Sequence, residues 1–385
     1  MARRLPYRSE DQNVACVTAT EAIQMASCRL SDAEIDAATA VLESGQLVQS
    51  ELTARFEQVF AARMGTRHSV ACSSGTAALH LVYDLLLEPG SEVLVPAMTF
   101  LSTASMILAA GCTAVFCDVD PDTWLIDLND AARKVTPRTR AIVPVHLFGN
   151  PCDAGAIESF AASCGLMIIG DAAQAHGAAH CGRSVATLGV ATIYSLYATK
   201  NLFVGEGGMI CTDDAGLANE LRCRRSHGLG ADGLVRSLGF NYRLTEIQAA
   251  IGLAQLGRFD EMCQRRRRNA EILRNGLKET PGLRFQRVMP QAQHAFHHFC
   301  VAVDSGEFGM DRDGLAAALN ERGIATAVYY RIPPHRQPLF ADCVDVAPRT
   351  DDLSACSLAL PVHHDLTDAD LGCIVTAVRH AQRCA

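Results

Sequence analysis

Short apolar runs alternate with amphipathic stretches from about residue 69 to residue 211. The apolar runs predict buried strands at residues 69–72, 92–95, 114–118, 141–145, 166–169, 191–194 and 208–211. Most of the stretches between them have helical periodicity, for example residues 76–87, 101–110 and 152–164. Strands that alternate with helices are typical of α/β folds, in which a mainly parallel sheet is covered on both faces.

The two ends of the chain have a different pattern. A long helical pattern over residues 245–262 continues towards residue 277, and we interpret it as the bridge to a second, smaller domain. Near the other end, Ser31-Asp-Ala-Glu34 has the form of a capping box that opens a helix. Three further elements are predicted, a strand at residues 296–303 and helices at residues 311–321 and 371–384. The predicted units are an N-terminal arm (1–20), a large domain (21–262) and a small C-terminal domain (263–385).

Composition and charge exclude several classes of protein. A chain of 385 residues with 49% hydrophobic and 20% charged residues buries a large core and is typical of a soluble enzyme. Its net charge of −8 provides no electrostatic reason to bind nucleic acid. The longest apolar run is shorter than the ~18 residues that a membrane span requires, and the first residues lack the apolar region of a signal peptide. We therefore expect a cytoplasmic protein with no nucleic-acid or membrane partner.

The spacing of cysteine, histidine and glycine argues against metal and nicotinamide sites. The 16 cysteines include no Cys-x-x-Cys pair, which excludes zinc ribbons and thioredoxin-type motifs. His294, His297 and His298 cluster, but no cysteine or carboxylate nearby completes a set of metal ligands. A glycine triplet at residues 228–233 follows a charged helical stretch and not a strand, which disfavours dinucleotide binding. We expect no metal.

Two motifs at predicted strand ends have the chemistry of a ligand site. Ser73-Ser-Gly-Thr-Ala-Ala-Leu79 is a turn of small residues between a strand and a helix, and the N–H groups at such a helix end bind phosphate. Asp171 follows a buried strand and precedes small residues, which leaves room for a cationic ring beside its carboxylate. A structural alternative stays open for each motif, since both positions also suit a helix N-cap.

Two further motifs carry an amine and an amide. Lys200, in Ser195-Leu-Tyr-Ala-Thr-Lys-Asn201, lies between an apolar run and a glycine-rich turn at residues 205–208. A lysine in such a place is suited to Schiff-base chemistry when burial or a nearby cation lowers its pKa. Asn241-Tyr-Arg243 precedes a predicted helix. The alternatives are an ordinary loop lysine and an ordinary polar helix start.

In this order along the chain, the motifs resemble those of the DegT/DnrJ family of pyridoxal-phosphate-dependent sugar aminotransferases. The resemblance covers residues 45–371 and includes four shorter motifs, Gly149-Asn-Pro-Cys-Asp153, Glu206-Gly-Gly208, His227-Gly228 and Leu360-Pro361. It implies fold type I, with a mainly parallel seven-stranded sheet in the large domain and a smaller C-terminal α/β domain. The sequence departs from the family at Gly170, where the family usually has Glu, and at Ser50, where Gly is common.

The resemblance implies a role for each of four residues around the cofactor ring. In the family, the lysine that matches Lys200 binds pyridoxal 5'-phosphate covalently, and the aspartate that matches Asp171 pairs with the pyridinium nitrogen. The residue that matches Gln174 contacts the ring face or its phenolic oxygen, and the aromatic that matches Phe100 stacks on the ring.

The resemblance also implies a phosphate cradle, a shared site and a substrate mouth. The residues that match the phosphate cradle are Gly75, Thr76 and Ser195. The family's equivalent of Asn241 reaches the phosphate from the neighbouring subunit, which implies a homodimer. The segment that contains Tyr330, Arg331 and His335 lies near the substrate mouth in relatives, so these three are candidate substrate residues.

The function implied is a transamination. The resemblance implies transfer of an amino group from glutamate or glutamine to a keto-sugar, nucleotide-linked, by a ping-pong mechanism. One alternative is a keto-cyclitol acceptor, as in aminoglycoside antibiotic pathways. Another is a dehydratase or aromatising relative that uses the same cofactor. A cofactor-binding sensor without activity is disfavoured, because an idle site need not retain Lys200, Asp171, Gln174 and Ser195 together.

Overall fold

A computed structural model describes residues 22–230, 232–343 and 346–384. The predicted N-terminal arm over residues 1–20 lies outside the described residues. The strands are β1 His68–Cys72, β2 Glu92–Pro96, β3 Thr113–Cys117, β4 Thr139–Ile142, β5 Met167–Asp171, β6 Ala179–His180, β7 Arg183–Ser184, β8 Ala191–Ser195, β9 Gly208–Thr212, β10 Leu283–Phe285, β11 Ala292–Gln293, β12 Phe299–Val303 and β13 Ser357–Leu360. The helices are α1 Asp32–Ser44, α2 Glu51–Met64, α3 Gly75–Leu86, α4 Leu101–Ala109, α5 Leu128–Lys134, α6 Ala154–Cys164, α7 Ala215–Arg225, α8 Glu246–Leu256, α9 Phe259–Leu277, α10 Ser305–Phe308, α11 Arg312–Asn320, α12 Pro348–Cys356 and α13 Asp368–Cys384.

A seven-stranded sheet forms the centre of the molecule, in the order β1-β9-β8-β5-β4-β2-β3. The five strands from β8 to β3 run parallel to one another. Only β9 runs the other way, antiparallel to both β1 and β8. The α/β fold and the seven strands predicted from the apolar runs are confirmed, although β4 ends at Ile142, three residues before the predicted end.

The position of β9 brings the ends of β1 and β8 to one edge of the sheet. Both strands pair antiparallel with β9, so they point in the same direction. The first residue of β9, Gly208, pairs with Cys72 at the end of β1 and with Ser195 at the end of β8. The turn after β1 and the loop after β8 therefore leave the sheet side by side.

Both faces of the sheet are largely buried, which explains why most residues of its strands are apolar. Successive side chains of a strand point to opposite faces. In β1, Val70 and Cys72 pack into one hydrophobic cluster and Ala71 into another. In β9, Ile210 joins the first cluster while Met209 joins the second.

The C-terminal part of the chain forms a second layer. Strands β10, β12 and β13 make an antiparallel sheet. Their apolar side packs against α9, α11 and α13, with Leu273, Val301, Leu315 and Ile374 in one cluster. The predicted boundary between residues 262 and 263 falls inside α9, and that helix also contributes Phe259 to the cluster beneath the large sheet.

Two predicted elements differ from the structure. The single helix predicted from residue 245 to residue 277 is two helices, because α8 ends at Leu256 and α9 begins at Phe259. Between them, the Arg258 guanidinium donates to both carboxylate oxygens of Glu34, at 2.7 and 3.0 Å. The strand predicted from residue 296 begins at Phe299, because the preceding backbone bonds the loop at residues 148–149 instead.

Candidate active site

Asp171 lies at the end of β5 with its carboxylate buried beneath the first turn of α4. One oxygen, Oδ1, accepts from the Ala173 N–H at 3.0 Å, and the other, Oδ2, accepts from the Thr103 hydroxyl at 2.8 Å. Burial raises the pKa of Asp171, while these two hydrogen bonds and the charge of Lys200 act in the opposite direction. A buried carboxylate of this kind is suited to pair with a cation in a ligand.

Lys200 follows β8 and is largely withdrawn from solvent. Burial lowers the pKa of its amine to about 8, although the Asp171 carboxylate, which is near enough to interact with it, acts in the opposite direction. The chain has only three lysines, and the other two are Lys134 and Lys278. Lys134 forms an ion pair with Asp130 at 3.0 Å. An amine with a lowered pKa is partly uncharged near neutral pH and can act as a nucleophile.

The turn between β1 and α3 forms a tight cradle. A Cβ atom at Gly75 would lie 3.0 Å from the Cβ of Ser195, and one at Gly208 would lie 2.3 Å from the Ser74 carbonyl oxygen. Ser74 caps α3, since its hydroxyl accepts from the Ala77 N–H at 3.0 Å. The turn therefore does cap a helix, as the structural alternative predicts, and Ser74 is the residue that caps it. The N–H groups of the first turn of α3 lie beside the Ser195 side chain.

Gln174 connects the carboxylate loop to the C-terminal part of the chain. Its Oε1 accepts from the Phe148 N–H at 2.7 Å, and its Nε2 donates to the Tyr330 hydroxyl at 3.0 Å. The Tyr330 ring in turn lies 6.2 Å from the ring of Phe100, measured between centroids. Phe100 is exposed, with 57% of its surface accessible. The structure therefore brings Gln174, Phe100 and Tyr330 together on the side of the site that opens to solvent.

The Asn241 motif lies beside the cradle. The Tyr242 carbonyl oxygen accepts from the Ser73 N–H at 2.8 Å, which ties the motif to the end of β1. The Asn241 side chain is exposed. A neighbouring hairpin, built from residues 228–230 and 232–238, contains the glycine triplet and pairs Leu229 with Val235. This hairpin turn is not the strand-to-helix turn of a dinucleotide site.

Two of the predicted substrate residues have partners elsewhere. Arg331 forms a two-bond ion pair with Asp313 at 2.9 and 3.1 Å on the surface. His335 is buried, and its Nε2 lies 3.1 Å from an oxygen of Asp351. The substrate role of Arg331 and His335 stays a prediction, and the contacts of these two side chains do not involve Lys200 or Asp171.

Sequence reasoning missed three residues with buried hydrogen bonds, two at the Asp171 carboxylate and one close to the Asn241 motif. Thr103 bonds the Asp171 carboxylate, Thr99 bonds Thr103 at 2.9 Å, and Glu246 bonds the start of α2. Local patterns contain no signal for Thr103 and Glu246, because their partners lie 68 and 196 residues away in the chain. Thr99 bonds a residue only four positions away, but the importance of that contact depends on the distant partner of Thr103. Among the described residues, no group of three or more His, Cys, Asp and Glu side chains is arranged to hold a metal. No helix in the described ranges has the length and hydropathy of a membrane span.

Comparison with known proteins identifies the family. The family model described as the DegT/DnrJ/EryC1/StrS aminotransferase family matches residues 29–379. The spore coat polysaccharide biosynthesis protein SpsC of Bacillus subtilis is 37% identical over 363 residues, which are 90% of this chain and 93% of that protein.

Solved structures agree with this match. DesV of S. venezuelae, described as a complex with a ketimine intermediate, is 32% identical with a TM-score of 0.90, over 94% of this chain and 99% of that one. DesI, described in the presence of its TDP-sugar product, is 34% identical with a TM-score of 0.85, over 92% of each chain. The fold is therefore fold type I of the pyridoxal-phosphate-dependent sugar aminotransferases, and the chain is an aminotransferase that belongs to the DegT/DnrJ/EryC1/StrS family.

Proposed function

We propose that this aminotransferase uses pyridoxal 5'-phosphate to move an amino group from glutamate or glutamine to a nucleotide-linked keto-sugar. One observation carries the proposal. A half-buried amine with a pKa of about 8, Lys200, and a buried carboxylate, Asp171, lie near each other at the sheet edge where the small-residue turn leaves β1. The Lys200 amine is suited to form a covalent bond with an aldehyde, and the Asp171 carboxylate is suited to pair with a pyridinium nitrogen. The turn after β1 is suited to bind a phosphate.

The residues present fit that cofactor. Asp171 would hold the pyridinium nitrogen, and Phe100 and Gln174 would contact the ring. The cradle of Gly75, Thr76 and Ser195 would hold the phosphate, since a side chain at Gly75 would contact Ser195. When bound, pyridoxal phosphate withdraws electrons from the bond that is broken at the α-carbon of the donor.

Lys200 is the residue that moves the proton in this proposal. Its amine would take a proton from the α-carbon of the amino donor and deliver it to the carbon of the cofactor that carried the aldehyde, acting first as general base and then as general acid. The keto acid made from the donor leaves before the keto-sugar enters, which gives ping-pong kinetics. Asp171 must stay ionised throughout, because only the carboxylate attracts a protonated ring nitrogen.

The open side of the site is aromatic. Phe100 and Tyr197 are exposed beside the site, and Tyr330 lies behind Phe100. Such rings provide stacking surfaces for a sugar or a base. The TDP-sugar product described for DesI, which is 34% identical, supports a nucleotide-linked sugar over the alternative keto-cyclitol. The dehydratase and aromatising alternatives share the cofactor and are separated from transamination by the product.

We also propose a homodimer in which Asn241 reaches the phosphate of the partner subunit. The hairpin of residues 228–230 and 232–238 supports this arrangement, because Leu234, Val235 and Leu238 are 60%, 71% and 75% exposed. Adjacent exposed apolar side chains are typical of a surface that another chain covers. Leu238→Asp should shift the purified protein from dimer to monomer in sedimentation, with loss of transamination.

Trapping the cofactor tests the proposal directly. Purified protein with pyridoxal phosphate is reduced with borohydride, digested and analysed by mass spectrometry. Because the chain has only three lysines, the modified peptide identifies the residue without ambiguity. We expect the modification on Lys200, none in Lys200→Arg, and no change in the matched control Lys278→Arg. Modification elsewhere, or none, would contradict the assignment.

The half-reaction then identifies the donor. L-glutamate and L-glutamine are added separately, and the long-wavelength absorbance of the bound cofactor is followed. Bleaching with one donor, with formation of the corresponding keto acid, supports transamination and names that donor. Bound cofactor that neither donor bleaches would overturn transamination and favour the dehydratase or sensor alternatives.

A further inference from the structure

We propose that Thr103 and Thr99 form a two-hydroxyl relay that keeps Asp171 ionised, so that Thr103 is a positioning residue for the cofactor ring. The inference deepens the proposed function and rests on it, because an ionised Asp171 matters only where the carboxylate meets a cationic ligand. The family resemblance and the sequence motifs assign no role to either threonine.

The geometry of the relay is direct. The Thr103 hydroxyl lies 2.8 Å from Asp171 Oδ2, and the Thr99 hydroxyl lies 2.9 Å from that of Thr103. Both threonines are 1% exposed, so water does not compete for these hydrogen bonds. Thr103 is in the first turn of α4, where the Tyr83 hydroxyl also bonds its carbonyl oxygen at 3.3 Å. The helix start is thus fixed over the carboxylate.

The number of protons sets the direction of the relay. Each hydroxyl has one proton to donate. When Asp171 is a carboxylate, Thr103 must donate to it, and Thr99 must then donate to the Thr103 oxygen. When Asp171 is protonated, Thr103 has no obligation to donate to it, and this order is lost. The relay therefore favours the ionised form of Asp171.

The groups that face Asp171 differ in what they contribute. Within the described residues, Thr103 is the only side chain with a hydrogen bond to this carboxylate. The titratable groups near it are Lys200, Tyr83 and Tyr330. The two tyrosines are neutral near pH 7, since burial raises the pKa of each. Lys200 is positive only while its amine is protonated, whereas the Thr103 hydroxyl can donate to the Asp171 carboxylate at any pH where that carboxylate is ionised.

Infrared titration of the cofactor-free protein tests the relay without reference to activity. The band of the protonated Asp171 carboxyl is followed against pH and identified by its loss in Asp171→Asn. Thr103→Val, which removes the hydroxyl and keeps the shape, should move the midpoint upward by about 1 pH unit. Thr103→Ser should restore the wild-type midpoint, and Thr99→Val should move it in the same direction by less.

A matched control separates the relay from general disturbance of the helix start. Tyr83→Phe removes another buried hydroxyl that bonds Thr103, but this hydroxyl donates to the Thr103 carbonyl oxygen and not to its side chain. The titration midpoint of Asp171 should therefore stay unchanged. The relay would be refuted if Thr103→Val left the Asp171 midpoint unchanged, or if Thr103→Ser raised the midpoint as much as Thr103→Val does. If Thr103→Val does not fold, Thr99→Val alone tests the relay. The Thr99 hydroxyl does not contact the carboxylate, so its loss can move the Asp171 midpoint only through Thr103.

Failure of the relay and failure of the proposed function are distinguishable. Wild-type protein that binds no pyridoxal phosphate would refute the function, while the infrared midpoints would still decide the relay. In loaded protein, Thr103→Val should weaken cofactor binding with a pH dependence that follows the new Asp171 midpoint. A loss of affinity that is equal at every pH would indicate a structural role and overturn the inference.

Discussion

Glu246→Gln tests how much one buried carboxylate, in the helix that follows the Asn241 motif, stabilises the start of α2. Glu246 is in the first turn of α8, five residues after Asn241, and is 3% exposed. Its Oε1 accepts from the Ser50 N–H at 2.7 Å and from the N–H and hydroxyl of Thr53 at 2.9 and 2.6 Å. Its Oε2 accepts from the Leu52 N–H at 2.8 Å. This carboxylate therefore caps the beginning of α2 from another helix.

The expected loss of stability follows from the different partners of the two Glu246 carboxylate oxygens. Glutamine can turn its carbonyl oxygen towards Ser50 and Thr53, but its NH2 group then faces the Leu52 N–H, and one hydrogen bond is lost. A hydrogen bond to a charged group contributes about 1.5–3 kcal/mol, and the charge at a helix N-terminus adds about 0.3–1 kcal/mol. We therefore expect Glu246→Gln to lower the free energy of unfolding by about 3 kcal/mol.

Urea unfolding between pH 7 and pH 3.5 measures this loss. The hydrogen bonds to Glu246 lower its pKa against the effect of burial. A lowered carboxyl pKa gives stability that is fully present above the unfolded value of about 4.3 and is lost as the pH falls through the folded value. The difference between wild type and variant should therefore shrink at acidic pH. Glu51→Gln, an exposed acid in the same turn of α2, is the control and should cost less than about 1 kcal/mol. A loss below about 1 kcal/mol for Glu246→Gln, or one independent of pH, would refute the reasoning.

Three further predictions follow from contacts and charge. Gly170→Ala would put a Cβ atom 2.7 Å from Thr192 Oγ1 and should lower the free energy of unfolding in urea by about 1–3 kcal/mol. Adding Thr192→Ala should recover part of that loss, and strictly additive effects of the two substitutions would contradict the predicted clash. Binding of pyridoxal phosphate by the cofactor-free protein should accelerate as the pH rises through about 8, where Lys200 loses its proton, and a flat stopped-flow profile would exclude that amine. Gly252→Ala would put a Cβ atom 2.5 Å from the Phe56 ring and should lower the melting temperature although alanine favours helices; an increase would show that the ring can move away.

Local pattern was sufficient for most strands and helices, for a physical reason. Strands buried on both faces are mostly apolar, and the runs at residues 92–95 and 208–211 coincide with β2 and β9 within a residue at each end. The capping box at Ser31 is also confirmed, since the Ser31 N–H donates to the Glu34 carboxylate at 2.7 Å. The break between α8 and α9 was not predictable, because Arg258 turns towards Glu34, which lies 224 positions away in the sequence.

The residues of the candidate site also fall into two groups, those that local patterns predict and those that depend on distant contacts. Asp171 ends β5 and Lys200 lies in the loop after β8, so the positions of both follow from the order of elements along the chain. Thr103 does not stand out in any local motif, because it bonds a carboxylate 68 residues away. The prediction for Arg331 and His335 rests on the segment that contains them, and a segment does not determine which way its side chains point.

The place of β9 in the sheet also has a consequence for how the chain acquires its site during synthesis. Residue His68 has Thr212 as its partner across the antiparallel pair, so β1 stays without a neighbour until more than a hundred further residues have been made. Contacts over such long separations form late, since closing the intervening loop costs entropy. A nascent chain that ends before β9 would already contain Asp171 and Lys200 but would lack the strand that holds the loop after β8 beside the small-residue turn after β1. If the proposed function holds, affinity for pyridoxal phosphate should therefore be absent from chains that end before β9 and should not rise gradually with length.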